Sequence, residues 1–153
     1  LASPNNVVAF WTIGFEDSPE KSGEICIMEV KGGNIKARRA VNGYGVRQFE
    51  DPNLINAFFE ESFEMDATHY NIYAAEWMPD RVDFYLNNRK VRTIDQSPNY
   101  EMQFMLNIYE IPIENEFIKH EVSYPKKFEI DYIRSYKPNN GYFRNELKKN
   151  DND

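Results

Sequence analysis

The stretch Phe10–Val30, FWTIGFEDSPEKSGEICIMEV, decides how this chain folds. It holds two apolar, β-rich runs separated by a polar turn, EDSPEKSG, whose Ser, Pro and Gly break both helix and strand. The second run carries two carboxylates, Glu24 and Glu29, with Cys26 between them. Side chains alternate in a strand, so Glu24 and Cys26 share one face and Glu29 falls on the other. A single-residue bulge between Cys26 and Glu29 would return Glu29 to the first face. Two carboxylates about 5–5.5 Å apart on one face are what retaining glycoside hydrolysis needs, one as nucleophile and one as general acid. Taken alone, a glutamate pair on a strand is more often a solvated edge. The rest of the chain decides between these readings.

Outward from this stretch, strand-like runs dominate. Val7 to Phe15 reads as a mostly buried strand and Glu24 to Val30 as the next; Gly32-Gly33 then turn the chain into Ile35–Val41. Tyr70–Met78 precedes Pro79-Asp80, and Val82, Phe84 and Leu86 alternate with Arg81, Asp83 and Tyr85. Asn87-Asn88 is expected to be the hairpin turn into Val91–Ile94, since asparagine tolerates the positive φ that tight hairpins demand. Met102–Ile108 and Lys127–Tyr136 complete the set, and one short helix is expected around Pro52–Phe59. Strands at this spacing predict an all-β sandwich or barrel. Residues 1–137 are read as one domain and the polar residues 138–153 as a tail, with Tyr142 and Phe143 as its docking points.

Composition narrows the function. A formal charge of −7 provides no basic stripe to displace counterions, which argues against nucleic acid and against an anionic membrane surface. The longest apolar run, VVAFW, is too short to span a bilayer. One cysteine excludes a disulfide scaffold. Aromatics at 15% suit β-structure and also suit stacking on sugar rings.

Four segments, in order, resemble glycoside hydrolase family 16: FWTIGFEDSPEKSGEICIMEV, YNIYAAEWMPDRVDFYLNNRKVRTI, MQFMLNIY and FEIDYIRSYK. The resemblance implies a concanavalin A-like jelly roll of two antiparallel sheets and an extracellular setting. It places Glu24 on the nucleophile and Glu29 on the acid/base, with β-1,3-glucan as the leading class of polysaccharide or oligosaccharide partner. Trp11, Trp77, Asn107 and Tyr109 fall where the family lines or supports its cleft, and Gln103 shares a face with Asn107. Trp77 serves equally well as a core residue. Asp131 matches a last-strand aspartate that often holds a structural calcium, although calcium wants six or more oxygens and a solvated carboxylate is the plainer reading. No other cofactor is implied.

The chain departs from the family pattern in three places. Cys26 stands where the family has an aspartate, and a thiol is only a weak donor. A cysteine nucleophile would need a base, and His69 and His120 lie away from the motif. Asn71 takes the place of a signature histidine, and YEIPIENE replaces a glycine-rich loop. Family members also have further strands before the tryptophan strand, so another chain or an N-terminal fragment is expected to complete the sandwich. Three functions follow: a retaining endo-β-glycanase, a non-catalytic carbohydrate-binding module of the same fold, or an interaction fragment with an incomplete cleft.

Overall fold

The computed structural model describes residues 3–112 and 124–137. Its strands are β1 (Asn6–Gly14), β2 (Glu24–Lys31), β3 (Ile35–Lys36), β4 (Arg39–Arg47), β5 (Ala57–Phe63), β6 (Tyr73–Trp77), β7 (Val82–Leu86), β8 (Arg89–Ile94) and β9 (Met102–Glu110). Short 3-10 turns occupy Pro19–Lys21 and Gly32–Asn34, and no α-helix occurs among the described residues. In the larger sheet β4, β2, β1 and β9 lie side by side in that order. β5 covers the other edge of β4, and β3 forms a hairpin with the start of β4. The smaller sheet is β6-β7-β8. Every pairing is antiparallel, so the expected sandwich of two antiparallel sheets is the fold.

The core is the space between the sheets. Ile25, Ile27, Tyr44 and Val46 of the larger sheet meet Val82, Phe84 and Ile94 of the smaller one. Burying each such side chain contributes about 1.5–3 kcal/mol. Tyr44 and Phe84 pack with ring centroids 5.3 Å apart. The Tyr44 hydroxyl donates to Glu61 at 2.7 Å, and Arg92 of β8 pairs with the same carboxylate, which joins the two sheets through a satisfied polar link. The β7–β8 turn forms at Asn87-Asn88, both with positive φ (48° and 63°), as expected for a two-residue hairpin.

Two expected elements differ. The segment read as a short helix contributes instead to β5, because Phe59 and Phe63 bury against the core cluster while Phe58 and Glu60 face outward, a period of two. Lys127–Tyr136 forms no strand: a strand exists only through a partner's ladder, and no described residue supplies one. Phe128 still touches the core, while Ile130, Tyr132, Ile133 and Tyr136 are exposed. The core between the sheets takes in β2, β4 and β5 and reaches β9 only at Met102. Further along β9, Phe104, Leu106 and Ile108, paired across the ladder with Thr12, Phe10 and Val8, are 57%, 40% and 38% exposed. Residues 138–153, including Tyr142 and Phe143, lie outside the described residues.

Candidate active site

β2 carries the bulge that its sequence requires. Phe10 of β1 pairs with Met28 and Trp11 with Cys26, which leaves Ile27 as the extra residue. On the other side, Cys26 pairs with Gly45 and Glu29 with Gly43, so Ile27 and Met28 together oppose Tyr44. Both apolar residues turn into the core. Glu24, Cys26 and Glu29 are left on the outer face of the larger sheet. Cross-strand partners share a face. That face therefore also carries Arg47, Gly45 and Gly43 of β4, Phe58 and Glu60 of β5, Trp11 of β1, and Gln103, Asn107 and Tyr109 of β9.

Arg47, directly opposite Glu24 in the ladder, lies between the two glutamates. Its Nε is 3.7 Å from Glu24 Oε1, and its Nη2 is 3.5 Å from Glu29 Oε2. The guanidinium stacks on the Phe58 ring, with Cζ 3.8 Å from the centroid, a favourable cation–π contact. Glycine makes this stacking possible. A Cβ on Gly43 would come within 2.7 Å of the Phe58 ring, and Gly45, at φ 146°, has backbone where its Cβ would be. The other oxygen of Glu29 faces Lys31 at 3.9 Å, and Lys31 in turn pairs with Glu60 at 2.6 Å. Beyond Arg47 lies an open pocket of about 510 Å³ lined by Arg47, Gln48, Phe49, Asn56 and Phe58.

Electrostatics distinguish the members of the cluster. Glu24 is buried, and that desolvation raises its pKa to about 7, with Arg47 pulling it down and Glu29 pushing it up. Burial also drives the Cys26 thiol far above its ordinary range, reinforced by both glutamates, so it stays protonated. Its contact is with the Gly43 carbonyl, 3.9 Å away. Tyr109 is likewise raised by burial and by the neighbouring charge of Glu29.

The structure gathers Glu24, Cys26, Glu29, Trp11, Asn107, Gln103 and Tyr109 on one face. The Trp11 indole N–H donates to Asn107 Oδ1 at 2.6 Å, which ties β1 to β9 across that face. Trp77 is elsewhere: it sits on β6 of the smaller sheet, half-exposed, and its indole donates to the Pro98 carbonyl at 3.1 Å. Asp131 is exposed, and among the described residues no group of three His, Cys, Asp or Glu side chains gathers to hold an ion. Arg47 and Phe58 escaped the sequence reading. The only available signal was the alternation G-x-G-x-R in β4, two glycines and a cation on one face of a strand.

The profile of glycosyl hydrolases family 16 matches residues 4–133. Among solved structures, the chain resembles the GlcNAcα1-4Gal releasing endo-β-galactosidase from Clostridium perfringens, with a TM-score of 0.57 and 27% identity. The match covers 70% of this chain and 28% of that protein. No curated protein matches. The profile spans nearly all of the sandwich, including the bulged carboxylate strand, and the chain belongs to glycosyl hydrolases family 16.

Proposed function

We propose that this protein is an endo-acting, retaining β-glycan hydrolase in which Glu24 is the nucleophile and Glu29 the general acid/base. One observation carries the reading: the β2 bulge brings both carboxylates to one face, where they bracket a single guanidinium. In the first step the ionised Glu24 attacks the anomeric carbon, and the bond from that carbon to the leaving sugar oxygen breaks. The proton of Glu29 passes to that oxygen. In the second step Glu29 takes a proton from water, the water oxygen attacks the anomeric carbon, and Glu24 is released as carboxylate. Cys26, held as a thiol, takes no part in bond making. β-1,3-Glucan is the leading substrate class. β-Galactosides are the second, on the strength of the endo-β-galactosidase with the similar fold.

The second reading is a carbohydrate-binding module that holds glycan without cutting it. It is favoured by Cys26, which stands where a carboxylate would otherwise tune Glu24, and by the raised pKa that leaves Glu24 about half protonated near neutral pH. The readings part in one assay: release of reducing ends from β-1,3-glucan and β-galactan followed over about pH 5 to 8, because the first step needs Glu24 ionised and Glu29 protonated together. Hydrolysis by the wild type and none by Glu29→Gln supports the hydrolase. Binding of either glycan with no release by the wild type supports the module.

A further inference from the structure

We propose that Arg47 is a positioning residue for the Glu24–Glu29 pair, orienting the two carboxylates toward one guanidinium and favouring the ionised form of Glu24. Its consequence for turnover rests on the hydrolase reading above; its effect on Glu24 does not.

Glu24 is buried beside a second carboxylate. Its side chain is 7% exposed and Glu29's is 13%, so two carboxylates share a face with little water to screen them. Like charges so placed drive one group toward the neutral acid unless a cation intervenes. Cys26, the residue between them, supplies a neutral thiol directed at the Gly43 carbonyl and contributes no charge. Among the described residues, the other titratable groups that face the pair are Lys31 on β2, Glu60 on β5 and Tyr109 on β9. Lys31 is engaged by Glu60 and stands on the Glu29 side, and Tyr109 is neutral at ordinary pH. Among the described residues, Arg47 is thus the cation that reaches Glu24.

Three features make Arg47 a built device. Ladder register places it directly across from Glu24, so the backbone sets its origin. Phe58 holds the guanidinium plane by stacking, and Gly43 leaves room for that ring. The planar guanidinium turns two different nitrogens, Nε and Nη2, to Glu24 and Glu29 at once, whereas a lysine offers a single charged nitrogen. Both contacts, at 3.5 and 3.7 Å, are longer than a tight bidentate pair. Glu29 is therefore not locked to the guanidinium and can turn to a glycosidic oxygen, while the nearby positive charge favours the ionised form of Glu24.

The test is a carbon-13 NMR titration of the Glu24 side-chain carboxyl in the intact chain, which needs no substrate. The Glu24 midpoint should move up by about one pH unit or more in Arg47→Met. Arg47→Lys, which keeps the charge, should recover part of that shift, and Phe58→Leu should give a smaller shift in the same direction. If the protein hydrolyses glycan, the acid limb of its pH–rate profile should move upward in step with the titration. An unchanged Glu24 midpoint in folded Arg47→Met overturns the proposal. So does an Arg47→Lys midpoint equal to that of folded Arg47→Met, and if the methionine variant does not fold, a Glu24 midpoint unchanged from wild type in Phe58→Leu overturns it instead. A shifted midpoint without hydrolysis by any form would overturn the hydrolase reading and leave the role of Arg47 standing.

Discussion

The Cys26 thiol points at the Gly43 carbonyl, 3.9 Å away, from the position that separates Glu24 from Glu29. A buried thiol here is protonated and uncharged, so it neither donates strongly to the nucleophile nor shares its charge. Restoring a carboxylic acid should strengthen the hydrogen bonding around Glu24. Cys26→Asp is expected to raise hydrolytic activity on β-glucan by tenfold or more, an effect of about 1.4 kcal/mol on the barrier. It should also lower stability, because a third acid enters a buried acidic cluster. Initial rates and urea midpoints for the two proteins check both signs.

Glu24 also leaves a mark on stability. Its pKa is about 7 in the folded protein against an ordinary 4.5, so the folded state binds the proton more tightly than the unfolded chain. The stabilisation is complete below about pH 4.5 and is lost as pH rises through about 7, a swing on the order of 3 kcal/mol. Glu24→Gln, neutral at every pH, should remove that swing and be the more stable protein at pH 8. Denaturant midpoints at pH 4.5 and pH 8 measure it. Parallel curves for wild type and variant would contradict the linkage.

The glycine at 45 should tolerate no side chain. It combines φ 146° with an Ala57 carbonyl oxygen 2.2 Å from where a Cβ would stand. Gly45→Ala is expected to cost on the order of 3 kcal/mol and to disturb the β4–β5 edge that carries Phe58. Thermal unfolding reads the cost, and loss of the Arg47–Phe58 contact should raise the Glu24 midpoint as well.

Much of the sandwich was legible because strands that bury one face print a period of two. β7 shows it in Val82, Phe84 and Leu86, and Asn87-Asn88 marks the turn after it. The bulge was legible from chemistry, since only an extra residue reconciles Glu24 and Glu29 on one face. β5 was misread because AFFEESF mixes glutamates with aromatics. Only the pairing of Glu61 with Tyr44 and Arg92 shows that its inner face is apolar with one satisfied acid. Arg47 was invisible for a different reason. It lies 23 residues from Glu24 in sequence, and the ladder register that sets them opposite each other is a tertiary fact. The Lys127–Tyr136 pattern is strand-like, but no described strand pairs with it, and pairing is a tertiary outcome that alternation alone does not determine.

The inner face of β9 predicts association. Phe104, Leu106 and Ile108 stand on the core side of the sheet with nothing described above them, and β9 pairs only with β1 among the described strands. Apolar edges of this kind template pairing with other chains. We propose that another chain or a further segment completes the sandwich here. The isolated 18.1 kDa chain should therefore associate with rising concentration, and Leu106→Lys should reduce that association. A light-scattering mass of one chain at all concentrations would show that this face is closed within the chain itself.

The central claim, that Glu24 is the nucleophile of a retaining hydrolase, is tested most directly by trapping the glycosyl-enzyme. A 2-deoxy-2-fluoro β-glucosyl or β-galactosyl donor with a good leaving group, incubated at pH 8, should leave one added glycosyl mass on the peptide that contains Glu24. Fragmentation should place it on that residue, and Glu24→Gln should carry none. A protein that hydrolyses the parent substrate yet yields no adduct, or carries the sugar on Glu29 instead, would contradict the assignment.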